Sequence, residues 1–277
     1  MHAAIPFPSS TPLLDEDAYE ILPGDPGRGL VIVADHASNR VPADLADLGL
    51  PKAEFERHIA WDIGVEGLAR LLSARLGVPA VLSRFSRLVI DPNRGDDDPT
   101  LVMRLSDGAV VPGNARLDEA GRAARIARFW APYDGAIRQT IDACFNAGRA
   151  PVVFSLHSFT PVWRGTVRPW HCGVLWDADP RLASFLIERL RADPHLTVGD
   201  NEPYDGALAG DTMYRHGTRR GLAHAILEVR QDLIDVAEGR EAWARRLEPI
   251  LGEALRREDF AEPRLHGSRT GPVVPEG

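Results

Sequence analysis

The chain has 277 residues, 44% of them hydrophobic and 26% charged, which is enough apolar material for a substantial buried core. Its formal charge of -8 argues against a nucleic-acid surface or an anionic membrane surface, both of which select clustered Lys and Arg, and favours a small-molecule or peptide partner. The two cysteines, Cys144 and Cys172, form neither a CxxC pair nor a disulfide framework, so any metal must be held by His and carboxylates.

The N-terminal stretch lacks a charged region followed by an apolar one, and no segment approaches the roughly 18 apolar residues that span a bilayer, so a cytoplasmic location is the expectation. Residues 1–13 and 261–277, the latter rich in Pro, Gly and Arg, are expected to be mobile ends flanking a single domain over 14–260. No internal repeat divides that domain. Its first strand is GLVIVAD, followed by a helical stretch EFERHIAWDIGVEGLARLLSARLG. There Ile59, Ile63, Leu68, Leu71, Leu72 and Leu76 recur at helical spacing, and Gly77 stands where a C-terminal cap belongs. PAVLSRFSRLVID reads as the next strand and LDEAGRAARIARFWAPYDGAIRQTIDACFNAG as the next helix. The alternation continues through PVVFSLH, CGVLWD, DPRLASFLIERLRAD, LTVGD and AHAILEV to a final helix within RQDLIDVAEGREAWARRLEPILGEALRRE. Continuous apolar strands imply helices on both faces, so the expected fold is α/β with a mostly parallel central sheet.

In such a sheet, ligands bind beyond the carboxyl ends of the strands, where the loops converge. Each apolar run leads there to polar residues: LVIVA to Asp35 and His36, RLVI to Asp91, Asn93 and Arg94, VVFSL to His157, and HAIL to Glu228 and Arg230. A lone His after a strand is usually a capping residue, and Glu228 with Arg230 could be a surface pair. Two His and a Glu on separate neighbouring strands would share one rim, where buried charges are costly without a metal or substrate. A hydrolytic zinc site needs three protein ligands, an open position and a carboxylate base. His36 and His157 supply two ligands. For the third, Asp62 in HIAWDIG, an acid flanked by Trp61 and Ile63, is a stronger choice than the neutral amide of Asn39, although an acid at a helix N-terminus is also favoured by the dipole. His58, four residues before Asp62, is on the same helical face as a supporting partner or an exposed residue.

The segments DHASNRVP, HIAWDIG, SRLVIDPNRG, SLHSFTP, NEPYDG and ILEVRQDLI, in that order, resemble the N-formylglutamate amidohydrolase family over roughly Leu30 to Ile250. The resemblance implies a three-layer α/β/α fold like that of zinc carboxypeptidases, with one catalytic zinc. It makes His36 and His157 metal-binding residues, assigns Asn93 and Arg94 to the carboxylate of the substrate, and makes Glu228 the general base. This sequence has Asn39 where the wider group carries a glutamate three residues after its first histidine. The implied reaction is hydrolysis of a small anionic N-acyl amino acid, with N-formyl-L-glutamate as the named case. Arg84, Arg87, Arg94, Arg164 and Arg168 are candidates for a basic rim; Asn201, Tyr204 and His216 are pocket-lining candidates or parts of a turn and the helix after it. Two rivals share the fold: a metalloamidase for another acyl group or peptide-like amide, and a non-enzymatic binding module, which a Glu228 turned away from the pocket would favour. No GxSxG, GxGxxG or P-loop sequence is present.

Overall fold

A computed structural model of the chain describes residues 18–276, so the expectation for residues 1–13 lies outside the described residues. Seven strands form one sheet: β1 (Tyr19–Leu22), β2 (Leu30–Ala34), β3 (Ala80–Ser83), β4 (Val152–Phe159), β5 (Cys172–Leu175), β6 (Val198–Asp200) and β7 (His224–Arg230). Their spatial order is β1-β3-β2-β4-β7-β5-β6. The central neighbours β3, β2, β4 and β7 are parallel, β1 runs antiparallel to β3, and β5 runs antiparallel to β7 with β6 parallel to it.

The apolar character of the central strands follows from cover on both faces. Along β2, Leu30, Ile32 and Ala34 enter one core while Val31 and Val33 enter the other. The first core is closed by α1 (Val65–Leu76), α3 (Pro180–Arg191) and α5 (Ala237–Ala254), the second chiefly by α2 (Ala131–Asn146) with the short α4 (Thr212–His216). Each layer holds one free, buried cysteine, Cys144 on α2 and Cys172 on β5, and burial pushes both thiols up to about 12. No helix among the described residues is long and apolar enough to cross a membrane.

Three expectations need correction. The helix expected from Glu54 begins only at Val65, because the Asp62 amide donates to the His36 carbonyl at 2.9 Å instead of closing a helical turn. Gly64, at φ 84°, then passes so close to Ile234 that a Cβ would meet its carbonyl oxygen at 2.2 Å. His58 and Asp62 therefore do not share a helix face. Gly77 does cap the far end of α1 in the left-handed conformation. The run RLVI is buried but is not a strand: Asn114 donates to the Leu88 carbonyl and Arg125 to that of Val89, doing with side chains what a ladder would do. Finally, the C-terminal segment is pinned to the body. Its Arg264 amide donates to Gly221 O at 2.7 Å, Arg269 N to Asp177 Oδ1 at 2.8 Å, and Glu276 N to Arg219 O at 3.0 Å.

Candidate metal centre

The polar residues of the site continue the strands of the second core. Side chains on that face run Val31, Val33, then Asp35; Val153, Ser155, then His157; and Ile226, then Glu228. The two-residue period of a strand fixes their direction, and the parallel register sets Glu228 directly beside His157. The alternation thus turns from apolar to polar at the carboxyl ends of three adjacent strands.

His36, Asp62 and His157 come together there, each almost fully buried, with one ligand atom from each lying within 4.8 Å of the others. Both histidines turn Nδ1 toward Asp62 Oδ2, at 3.4 Å for His36 and 2.9 Å for His157. Both have their other nitrogen engaged: His36 Nε2 donates to Asp91 Oδ1 at 2.7 Å, and His157 Nε2 donates to Asp35 Oδ2 at 3.1 Å. An ionised carboxylate only accepts, so each ring either donates from both nitrogens as an imidazolium or, when neutral with its proton on Nε2 toward Asp91 or Asp35, turns an Nδ1 lone pair to the Asp62 side. Two lone pairs and a carboxylate oxygen aimed at one another repel unless a proton or a cation lies between them. Carboxylate-braced histidines of this kind are what a metal site requires.

The charges agree. Asp35, Asp62 and Asp91 are buried acids, yet each pKa is lowered: burial opposes ionisation, and neighbouring His, with Arg87 in the case of Asp91, outweighs it. Against three carboxylates stands one guanidinium, Arg87, which donates to Asp91 Oδ2 at 2.7 Å and lies 3.7 Å from Asp62 Oδ1. With both histidines neutral, the state in which they would ligate a metal, the surplus would be two negative charges, which a divalent cation would cancel; without one, the acids favour protonated histidines. Burial likewise opposes a charge on His157, but its contacts with Asp35 and Asp62 raise its pKa well above the ordinary value.

A cavity of about 350 Å³ opens on this cluster, within the range of small-ligand sites. Glu228 lines it, 7% exposed, with Oε2 lacking any hydrogen-bond partner and its carboxyl raised to about 7, first by burial. The rival expectation of a Glu228 turned away from the pocket is therefore not met. Asn93, Arg94, Arg87 and Tyr204 also line the cavity, as does His58, which faces Asp107 at 3.5 Å. Asn93 accepts from the Thr212 amide through Oδ1 and leaves its amide nitrogen uncommitted. Asn201 is a correction: its Oδ1 accepts from the amides of Trp176 and Gly206, so it staples a loop and does not face the cavity. Asn39 donates to the Phe55 carbonyl and is no ligand. His216 pairs with Asp134 away from the cavity.

Residues 28–235 match the sequence profile of the N-formylglutamate amidohydrolase family. The chain belongs to that family. N-formylglutamate deformylase of Pseudomonas putida is 26% identical over 206 residues, spanning 68% of this chain and 71% of that protein. Among solved structures of similar shape, a gene product of Agrobacterium tumefaciens has a TM-score of 0.81 at 35% identity, covering 87% of this chain and 96% of its own. The N-formylglutamate amidohydrolase of Ralstonia eutropha shares the fold with a TM-score of 0.61 at 22% identity, covering 87% and 98%. Within this N-formylglutamate amidohydrolase family member, four supports were given no role from sequence. Asp35 and Asp91 brace the histidines, and Tyr133 and Thr212 in turn donate to Asp35 Oδ1 at 3.0 and 2.7 Å. Asp35 and Asp91 were visible in the sequence as acids at the ends of apolar runs; Tyr133 and Thr212 carry no such signal, because chain folding alone brings them near.

Proposed function

We propose that this family member is a zinc-dependent amidohydrolase that cleaves the amide of an N-acyl amino acid, with N-formyl-L-glutamate, giving formate and glutamate, as substrate. The observation that carries this reading is the conjunction in one cavity of the His36, Asp62 and His157 donor set with an unpartnered buried carboxyl, Glu228. Two imidazole nitrogens and one carboxylate oxygen suit zinc and leave a coordination position open. Bound by these residues, the ion would supply Lewis acidity toward the amide carbonyl and the attacking water.

The remaining roles belong to the chain. Glu228, with its carboxyl near pKa 7, takes a proton from the attacking water and returns it to the amide nitrogen as the C–N bond breaks. Asn93 and Arg94 receive a carboxylate of the substrate, with the planar guanidinium fixing its orientation. Arg87 is engaged with Asp91 and Asp62 and orients those acids instead of binding substrate. Asp35 and Asp91 hold both imidazoles in the tautomer that presents Nδ1.

Metal analysis of protein purified without chelator, coupled to formate release from N-formyl-L-glutamate, tests this. About one equivalent of zinc with formate release supports it. A loaded protein that ignores the formyl substrate but hydrolyses N-acetyl- or N-succinyl-glutamate moves the reading to another acyl group, and a metal-free protein inert to all of them rejects it.

A further inference from the structure

The segment between β6 and α4 forms one wall of the cavity, with Tyr204, Asp205, Ala207 and Leu208 lining it. Its far end is fixed from within the site, since the Thr212 amide donates to Asn93 Oδ1 at 3.1 Å and the Thr212 hydroxyl to Asp35 Oδ1 at 2.7 Å. Its near end folds over the chain that leaves β5, where Gly206 comes so close that a Cβ would meet the backbone nitrogen of Trp176 at 2.2 Å. Tyr204 and Asp205 beside it are exposed, so packing does little to hold them.

What holds this end comes from far along the chain. Arg269 spreads its guanidinium between the two segments: Nη1 donates to Asp205 Oδ2 at 3.0 Å and Nη2 to Asp205 Oδ1 at 2.5 Å, while Nη2 also reaches the Trp176 carbonyl at 2.7 Å and Nε the Asp177 carbonyl at 3.0 Å. The Arg269 amide is in turn anchored on Asp177 Oδ1 at 2.8 Å. Asp205 Oδ1 also accepts from the Ala207 amide at 3.0 Å, so the carboxylate joins the guanidinium to the turn it belongs to. The hydrogen bonds from Arg269 hold the Asp205 carboxyl below the ordinary range. Exposed ion pairs contribute little as a rule, and a bidentate pair with further partners is the exception. A lysine lacks the planar fork that spans both segments. Arg269 lies beyond residues 28–235, over which the chain matches its family, and among the described residues no other side chain forms an ion pair with Asp205.

We propose that Arg269 is a positioning residue of the cavity: it clamps the wall around Tyr204 and Asp205 against the end of β5, so that the C-terminal segment completes the binding site. None of the reacting groups lies on this wall, because His36, His157 and Glu228 come from strand ends and Asp62 from the connection into α1. Loosening the wall therefore weakens binding of ground state and transition state alike, which raises KM and spares kcat. The expectation for KM rests on the reading of the cavity as an N-acyl amino acid site; the clamp does not.

Hydrogen exchange of the metal-loaded protein, followed by peptide mass analysis, reads the clamp without turnover. In Arg269→Gln, residues 201–208 are expected to exchange at least about 10-fold faster than in wild type, with metal content unchanged. KM for N-formyl-L-glutamate should rise about 3- to 10-fold while kcat changes by less than about two-fold. Arg269→Lys, which keeps the charge and loses the fork, should recover only part of the KM. Arg219→Ala releases the same C-terminal segment at the Val274 carbonyl, where neither residue lines the cavity, and should leave KM and the exchange of 201–208 unchanged. Unchanged exchange in Arg269→Gln, a KM shift of equal size in Arg219→Ala, or a fall in kcat at constant KM overturns the assignment. Faster exchange in Arg269→Gln, with a wild type that releases no formate from N-formyl-L-glutamate, would overturn the deformylase reading and leave the clamp in place.

Discussion

Two buried clusters of His, carboxylate and Arg lie against the same face of the sheet, and the 350 Å³ cavity is lined by one of them and not by the other. In the closed one, His216 Nε2 donates to Asp134 Oδ1 at 2.7 Å and Arg215 Nε to the same oxygen at 2.8 Å, while Arg215 Nη2 braces the Pro92 carbonyl at 2.9 Å. One acid faces two guanidiniums, Arg215 at Oδ1 and Arg138 at 3.5 Å from Oδ2, and burial lowers the His216 pKa. In the open cluster, three acids face one guanidinium, and the Nδ1 atoms of two imidazoles converge on one carboxylate oxygen. Burial and His–Asp pairing are common to both and so identify nothing. A surplus of negative charge and donors aimed at one another mark the site; the closed cluster is a brace for the loop that carries Asn93 and Arg94.

This contrast can be broken by experiment. The largest effect is expected for His157→Ala, which removes one of three donors: bound metal and amide hydrolysis should both be lost, and full metal occupancy in this variant would disprove the donor set. Glu228→Gln should keep the metal and lower kcat by about two to four decades, the scale of a missing general base. Near-wild-type turnover would make Glu228 structural. Asp91→Asn leaves the ligands in place but weakens the acceptor that orients His36, so metal affinity should fall about 10- to 100-fold in a competition titration with a chelator.

The smallest effect lies in the closed cluster and concerns stability. His216 faces Asp134 from α2, Arg215 from its own helix and the charge of Asp35 from the end of β2, and its folded pKa lies below the ordinary histidine value. The unfolded chain therefore binds more protons here as pH falls through about 6.5, so this residue contributes stability above that pH that is lost below it. In His216→Gln, urea midpoints measured at pH 7.5 and 5 should differ less than in wild type, with metal content unchanged. An equal or steeper pH dependence would remove His216 from this role.

The central strands were legible because cover on both faces demands an unbroken apolar run, as in Leu30–Ala34. His36, His157 and Glu228 were legible because the topology places strand ends together. The start of α1 was not, since helical spacing of apolar residues persists through 54–64 while the chain there is tied to the end of β2 by the Asp62 amide. RLVI failed for a related reason: burial looks the same whether backbone groups are satisfied by a ladder or by Asn114 and Arg125. Asn201 was misplaced because a loop-stapling amide and a ligand-binding amide have the same sequence signature.

The two cysteines give the molecule a pair of internal clocks. Cys144 sits in the layer under α2 and Cys172 in the layer under α3, and with thiols pushed up to about 12 neither reacts at neutral pH while its layer is closed. Alkylation followed by peptide mass analysis therefore times the opening of each side of the sheet separately, in one sample and without introducing a label. A zinc ion held by His36, Asp62 and His157, the candidate metal centre on the Cys144 side, should slow that clock more than the other.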